Sequence, residues 1–147
     1  MPLMPYTITH AFAPQSPAER AEILAAPGFG RHFTDHMATA TWSVEHEWHD
    51  CQVGPLKPFS LHPGSGVLHY GQEIFEGLKA YRHADDSVNL FRPERNAARF
   101  AKSARRLALP ALPAELFLSG IAELVRVDVA WVPPHGDEAS LYLRPIE

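Results

Sequence analysis

The order of patterns along the chain predicts an α+β domain, a mainly antiparallel sheet with two main helices. Three observations predict it. Runs rich in Thr, Val and Trp fill much of the chain before residue 91. Two helical periodicities follow between residues 92 and 131, and a strand pattern returns at 140–144. Strands and helices do not alternate as a doubly wound sheet would require.

The first 15 residues carry three prolines and no periodicity, and read as an extended arm. Ser16-Pro17-Ala18-Glu19 then combines an N-cap serine, proline at the first helical position and a capping-box glutamate. The helix it opens runs to about Ala26, where Pro27-Gly28 stops it. Arm and helix together form an N-terminal unit over 1–36, and the α+β domain itself spans 37–147. Residues 37–45 and 47–53 read as strands, and Gly54–Gly66, with three prolines and three glycines, as a loop. A turn near 72–75 leads into a strand over 75–82. A polar turn at 83–87 and a strand at 88–91 complete a hairpin. Arg92-Pro93 opens a helix to about Leu107, because Ala97, Phe100, Ala101, Ala104 and Leu107 recur at helical spacing. Pro110 and Pro113 break it. A second helix runs from Ala114 to about Trp131, and Ser140–Arg144 is the last strand.

A net charge of −4 over 147 residues argues against a nucleic-acid or anionic-membrane binder. The single cysteine, Cys51, provides neither a disulfide framework nor a zinc pair. No signal peptide or membrane-length apolar run is visible, so a cytoplasmic protein is expected. Nine histidines invite a metal reading. His32 and His36 fall in a loop, however, and His46 and His49 sit three apart in a strand pattern, on opposite faces. No metal is expected.

Arg95, Arg99, Lys102 and Arg106 share one helix face. Arg99, beside Phe100 at the edge of the apolar stripe, is the candidate to grip a phosphate or carboxylate with its planar guanidinium. Phe29, Tyr70, Phe75, Tyr142 and Arg144 bring aromatic walls and a cation near glycines, which suits an amino or keto acid with an apolar side chain. Lys79 lies in the same stretch as Tyr70 and Phe75.

FTDHM (33–37), SLHPGSGVLHYGQEIFEGLKAYR (60–82), LFRPERNAARFAKSARRLALP (90–110), LVRVDVAWVPP (124–134) and SLYLRP (140–145) resemble branched-chain amino-acid aminotransferases, fold-type IV enzymes that use pyridoxal 5′-phosphate. The likeness runs in order from about Phe29 to Pro145. It implies the small N-terminal domain of such an enzyme, and a homodimer. It also implies amino transfer between leucine, isoleucine or valine and 2-oxoglutarate, with small amino and keto acids as the ligands.

The resemblance assigns Arg99 to the cofactor phosphate and Phe29, Phe75 and Tyr142 to the substrate side-chain pocket. Tyr70 would reach the neighbouring subunit's site. Arg144 would receive the distal carboxylate of glutamate, and Lys79 would lie on the substrate side. The family's Schiff-base lysine belongs to the second domain, and none of Lys57, Lys79 or Lys102 occupies its place, so no catalytic residue is expected in this chain. Because the sequence stops just after a strand, it reads as part of something longer. Two alternatives remain: a non-catalytic binding domain that kept the fold, and another fold-type IV activity such as a D-amino-acid aminotransferase or aminodeoxychorismate lyase.

Overall fold

Helix starts follow their capping signals. The Glu19 amide donates to Ser16 Oγ at 3.3 Å, and the Ser16 amide donates to the Glu19 carboxylate at 2.8 Å. This reciprocal cap opens α1 (Pro17–Ala25). The structure, a computed structural model, describes residues 6–136 and 139–147. The first five residues of the expected arm lie outside that range.

Two three-stranded sheets organise the chain. In the first, β1 (Thr7–Ile8), β2 (His36–Ser43) and β3 (Glu47–Pro55) lie in the order β1-β3-β2. Strands β2 and β3 form an antiparallel hairpin, while the arm strand β1 adds to β3 in parallel. Thr7 and Ile8 of the expected arm are therefore part of a sheet. Tyr6 anchors the arm by donating its hydroxyl to the Leu116 carbonyl at 3.3 Å. Burial, and after it the Cys51 thiol, pushes that hydroxyl's pKa up to about 12. A Cβ at Gly120 would collide with the Tyr6 ring, which accounts for a glycine inside the helix beneath it.

Between the sheets comes a short helix, α2 (Gly66–Tyr70), closed by Gly71 at φ 58°. The sequence reading had a loop ending at Gly66 and a turn near 72–75. The second sheet holds β4 (Leu78–Arg82), β5 (Val88–Leu90) and β6 (Leu141–Leu143) in the antiparallel order β5-β4-β6. The expected strand over 75–82 begins at Leu78, and Phe75 makes only an isolated bridge to Ile146.

Helices α3 (Pro93–Arg106) and α4 (Ala114–Val127) pack on each other, and α4 also contacts β2 and β3. The second helix stops earlier than its apolar pattern suggests. Asp128 caps it, and Val129–Trp131 continue as a 3-10 turn. The main core joins Leu78 and Ala80 of β4 and Leu143 of β6 to Ala97, Phe100 and Ala104 of α3 and Phe117, Ile121 and Val125 of α4. These are the residues that recur at period 2 in the strands and near 3.6 in the helices.

Candidate active site

Alternation along β4 sends Leu78 and Ala80 into the core and leaves Lys79 and Tyr81 exposed on the other face. Tyr142 stands opposite Lys79 in the β4–β6 register and shares that face. Arg92, at the cap of α3, and Arg95 and Arg99 within it follow one another at intervals of three and four residues. Lys79, Tyr81 and Tyr142 of the sheet meet these three arginines across an open groove of about 440 Å³.

Glu76, next to the lining residue Gly77, pairs with one of the groove's arginines. Its amide donates to the Pro145 carbonyl at 2.9 Å, which fixes its backbone just before β4. Its carboxylate accepts Arg99 Nε at 2.8 Å and Arg99 Nη2 at 2.9 Å, a two-point fork. Asn96 Nδ2, one turn earlier on α3, donates to the same carboxylate at 2.8 Å and to the Gly77 carbonyl at 3.0 Å. The Glu76 side chain is 10% exposed and that of Arg99 60%, so a nearly buried carboxylate holds an exposed guanidinium that lines the groove. Burial acts to raise the Glu76 pKa, but the hydrogen bonds from Arg99 and Asn96 and the Arg99 charge outweigh it. The net effect holds the carboxyl below the usual carboxylate range. The same contacts raise the Arg99 guanidinium. Among the described residues, Lys79, Arg92 and Arg95 form no ion pair, so the groove carries excess positive charge.

Beside the groove lies an aromatic stack. The rings of Phe29 and Tyr142 meet edge to face at 5.1 Å between centroids. The Arg144 guanidinium sits 5.6 Å from the Phe75 ring centroid and 5.3 Å from that of Tyr142. Gly77 leaves room for this ring, because a Cβ at that position would run into the Tyr142 hydroxyl.

Of the seven residues singled out from sequence, Lys79, Arg99 and Tyr142 line the groove. Phe29, Phe75, Tyr142 and Arg144 form the stack, and Tyr142 belongs to both. Tyr70 stands apart at the exposed end of α2. Its one ring neighbour among the described residues is His69. The sequence reading missed Glu76, Asn96 and Arg92. His46 and His49 correct it in another way, since their rings meet at 5.6 Å. His46 lies in the hairpin turn before β3, where the two-residue alternation does not apply. No group of three or more metal-ligating side chains occurs among the described residues, and no helix among them is long and apolar enough to cross a membrane.

No family model matches the chain. It is 60% identical over 132 residues to a probable branched-chain-amino-acid aminotransferase of Streptomyces coelicolor, covering 90% of this chain and 36% of that protein. It is 55% identical over 140 residues to the branched-chain-amino-acid aminotransferase of Mycolicibacterium smegmatis, covering 95% of this chain and 38% of the relative. By sequence, the chain is a relative of the branched-chain-amino-acid aminotransferases. A cytosolic branched-chain-amino-acid aminotransferase of Ovis aries is 50% identical over 117 residues, which is 80% of this chain and 30% of that one.

The chain thus spans a little over a third of the length of the first two aminotransferases. In fold it is similar to the crystal structure of the branched-chain amino acid aminotransferase from Thermobaculum terrenum in its PLP form. That match has a TM-score of 0.50 at 20% identity and covers 64% of this chain and 29% of the other. The mixed architecture of two small, mainly antiparallel sheets and helices agrees with the small domain of a fold-type IV aminotransferase.

Proposed function

We propose that this chain supplies the phosphate arginine and the substrate-side wall of a pyridoxal-phosphate-dependent branched-chain aminotransferase. In this reading the enzyme moves the amino group between leucine, isoleucine or valine and 2-oxoglutarate, as a homodimer in the cytoplasm. The carrying observation is the Arg99 guanidinium, forked on Glu76 at the mouth of a groove with excess positive charge.

The residues fit the phosphate end of the cofactor. Arg99 has five N–H donors and Glu76 takes two, so three remain for an anion. When bound, the cofactor supplies the electron sink for amino transfer. The chain's own residues bind and orient. Lys79 adds a cation on the substrate side, and Phe29, Phe75 and Tyr142 offer apolar surface to a branched side chain. Tyr70, exposed and away from the stack, is free to meet the neighbouring subunit.

One pocket has to accept an aliphatic chain and a carboxylate in turn. Arg144 meets that demand from where it lies. With an aliphatic substrate present, its guanidinium rests on the faces of Phe75 and Tyr142 and needs no anion. With glutamate or 2-oxoglutarate present, the distal carboxylate offers it a charge-assisted hydrogen bond in exchange.

The phosphate assignment is tested in a hybrid that joins this chain to the remaining length of its Mycolicibacterium smegmatis relative. In a pyridoxal 5′-phosphate titration followed by absorbance, Arg99→Ala should weaken binding about tenfold or more. Unchanged affinity would remove Arg99 from the cofactor site.

A further inference from the structure

An acid touches the arginine proposed to bind the cofactor phosphate. Coulomb's law alone says that a carboxylate touching an anion-binding arginine weakens the site, because it repels the ligand and neutralises the cation. Yet the Glu76 carboxylate is bound to two of the side chains that line the groove, Arg99 and Asn96. It accepts Arg99 Nε and Nη2 and Asn96 Nδ2, and it lies one residue before the glycine that Tyr142 packs against.

We propose that Glu76 is a positioning residue that holds the Nε edge of Arg99, so that the opposite edge of the guanidinium is presented to a dianion in one orientation. This rests on the reading of Arg99 as a phosphate arginine. The geometry favours positioning over neutralisation. Arg99 is an exposed side chain on a helix surface, and without a partner its several rotatable bonds would spread the guanidinium over many positions. The fork fixes one plane. It uses two of five donors and leaves Nη1 without a hydrogen bond to any described residue. Asn96 keeps the carboxylate from turning away, and its second bond, to the Gly77 carbonyl, ties the arrangement to the start of β4. Ordering the donor before the ligand arrives lowers the entropy cost of binding.

The test titrates sulfate, a dianion at neutral pH, into the ¹⁵N-labelled 147-residue chain and follows the Arg99 Nε–H resonance. A saturable shift is expected. Glu76→Gln, which removes a negative charge, should weaken sulfate binding roughly tenfold, the scale of one hydrogen bond to a charged group. Glu76→Asp keeps the charge but shortens the reach, and should weaken it similarly. In an Arg99→Lys background, followed through backbone amides, Glu76→Gln should cause no further weakening, because the effect runs through the guanidinium. Unchanged or tighter binding in both Glu76 variants, with an intact Arg99 response in the unsubstituted chain, overturns the positioning role alone. No saturable response at Arg99 in the unsubstituted chain overturns it together with the phosphate assignment.

Discussion

Asp128 Oδ1 lies 2.6 Å from His36 Nδ1, joining the end of α4 to the start of β2 across 92 residues of sequence. The second Asp128 oxygen accepts the His36 amide at 3.1 Å, and His36 Nε2 accepts the Ala11 amide at 2.8 Å. That last bond makes Nε2 the unprotonated nitrogen, so Nδ1 carries the proton and donates to Asp128. Next to it, Asp35 accepts Trp131 Nε1 at 2.7 Å and the Gln15 amide at 2.9 Å. Two consecutive residues thus fasten the arm and the turn after α4 to the first sheet. Both His36 and Asp128 are buried, so removing one leaves the other without its partner. His36→Ala should destabilise the fold by about 3 kcal/mol in urea unfolding. A change within a few tenths would mean that water replaces the clamp.

Gly77→Ala should move Tyr142. The added methyl meets the Tyr142 ring and hydroxyl, which are held by β6 on one side and Phe29 on the other. Overpacking of this kind costs about 1–3 kcal/mol. Thermal unfolding should show the loss, and NMR should show displaced Phe29 and Tyr142 ring signals. Unaltered ring signals would contradict the contact.

Acid should dissolve the Arg99–Glu76 fork late. Burial acts to raise the Glu76 carboxyl, but the hydrogen bonds from Arg99 and Asn96 and the arginine's charge leave it below its ordinary 4.5. A carboxyl held low in the folded state contributes stability above its unfolded pKa and loses it as pH falls through the folded one. The stability difference between the unsubstituted chain and Glu76→Gln should therefore be constant at neutral pH and narrow only below 4.5. A gap that widens on acidification would reverse the sign of the pairing.

Much of this was legible in the sequence where the signals are local. Ser16, Pro17 and Glu19 announce α1 within four residues, and the spacing of Ala97, Phe100 and Ala104 announces the buried face of α3. Arg99 stood out because it borders that face. Its partner did not, since Glu76 sits 23 residues away on an extended segment where no period marks it. The Asp35–His36 clamp was likewise invisible, because its bonds reach Ala11 and Gln15 in one part of the chain and Asp128 and Trp131 in another. Helix α2 was hidden by the glycines at its two ends, which read as loop punctuation.

Arg144 should discriminate between the two kinds of substrate. In the hybrid, Arg144→Met keeps a long flexible side chain against Phe75 and Tyr142 but removes the cation. KM for glutamate should rise roughly tenfold, the scale of a charge-assisted hydrogen bond, while KM for leucine changes little. Equal losses for both would place Arg144 at the carboxylate they share, or in a structural role.

The most direct test compares amino transfer from leucine to 2-oxoglutarate, read as glutamate formed, by the 147-residue chain alone and by the hybrid, each with pyridoxal 5′-phosphate added. The proposed division of labour puts the cofactor lysine outside this chain, and covalent chemistry on the cofactor needs that amine. The account predicts turnover by the hybrid, its loss or steep decline in Arg99→Ala, and none by the chain alone. Glutamate formed by the chain alone, with one of its lysines fixed to the cofactor by borohydride, would contradict it, as would a folded hybrid that fails to transaminate.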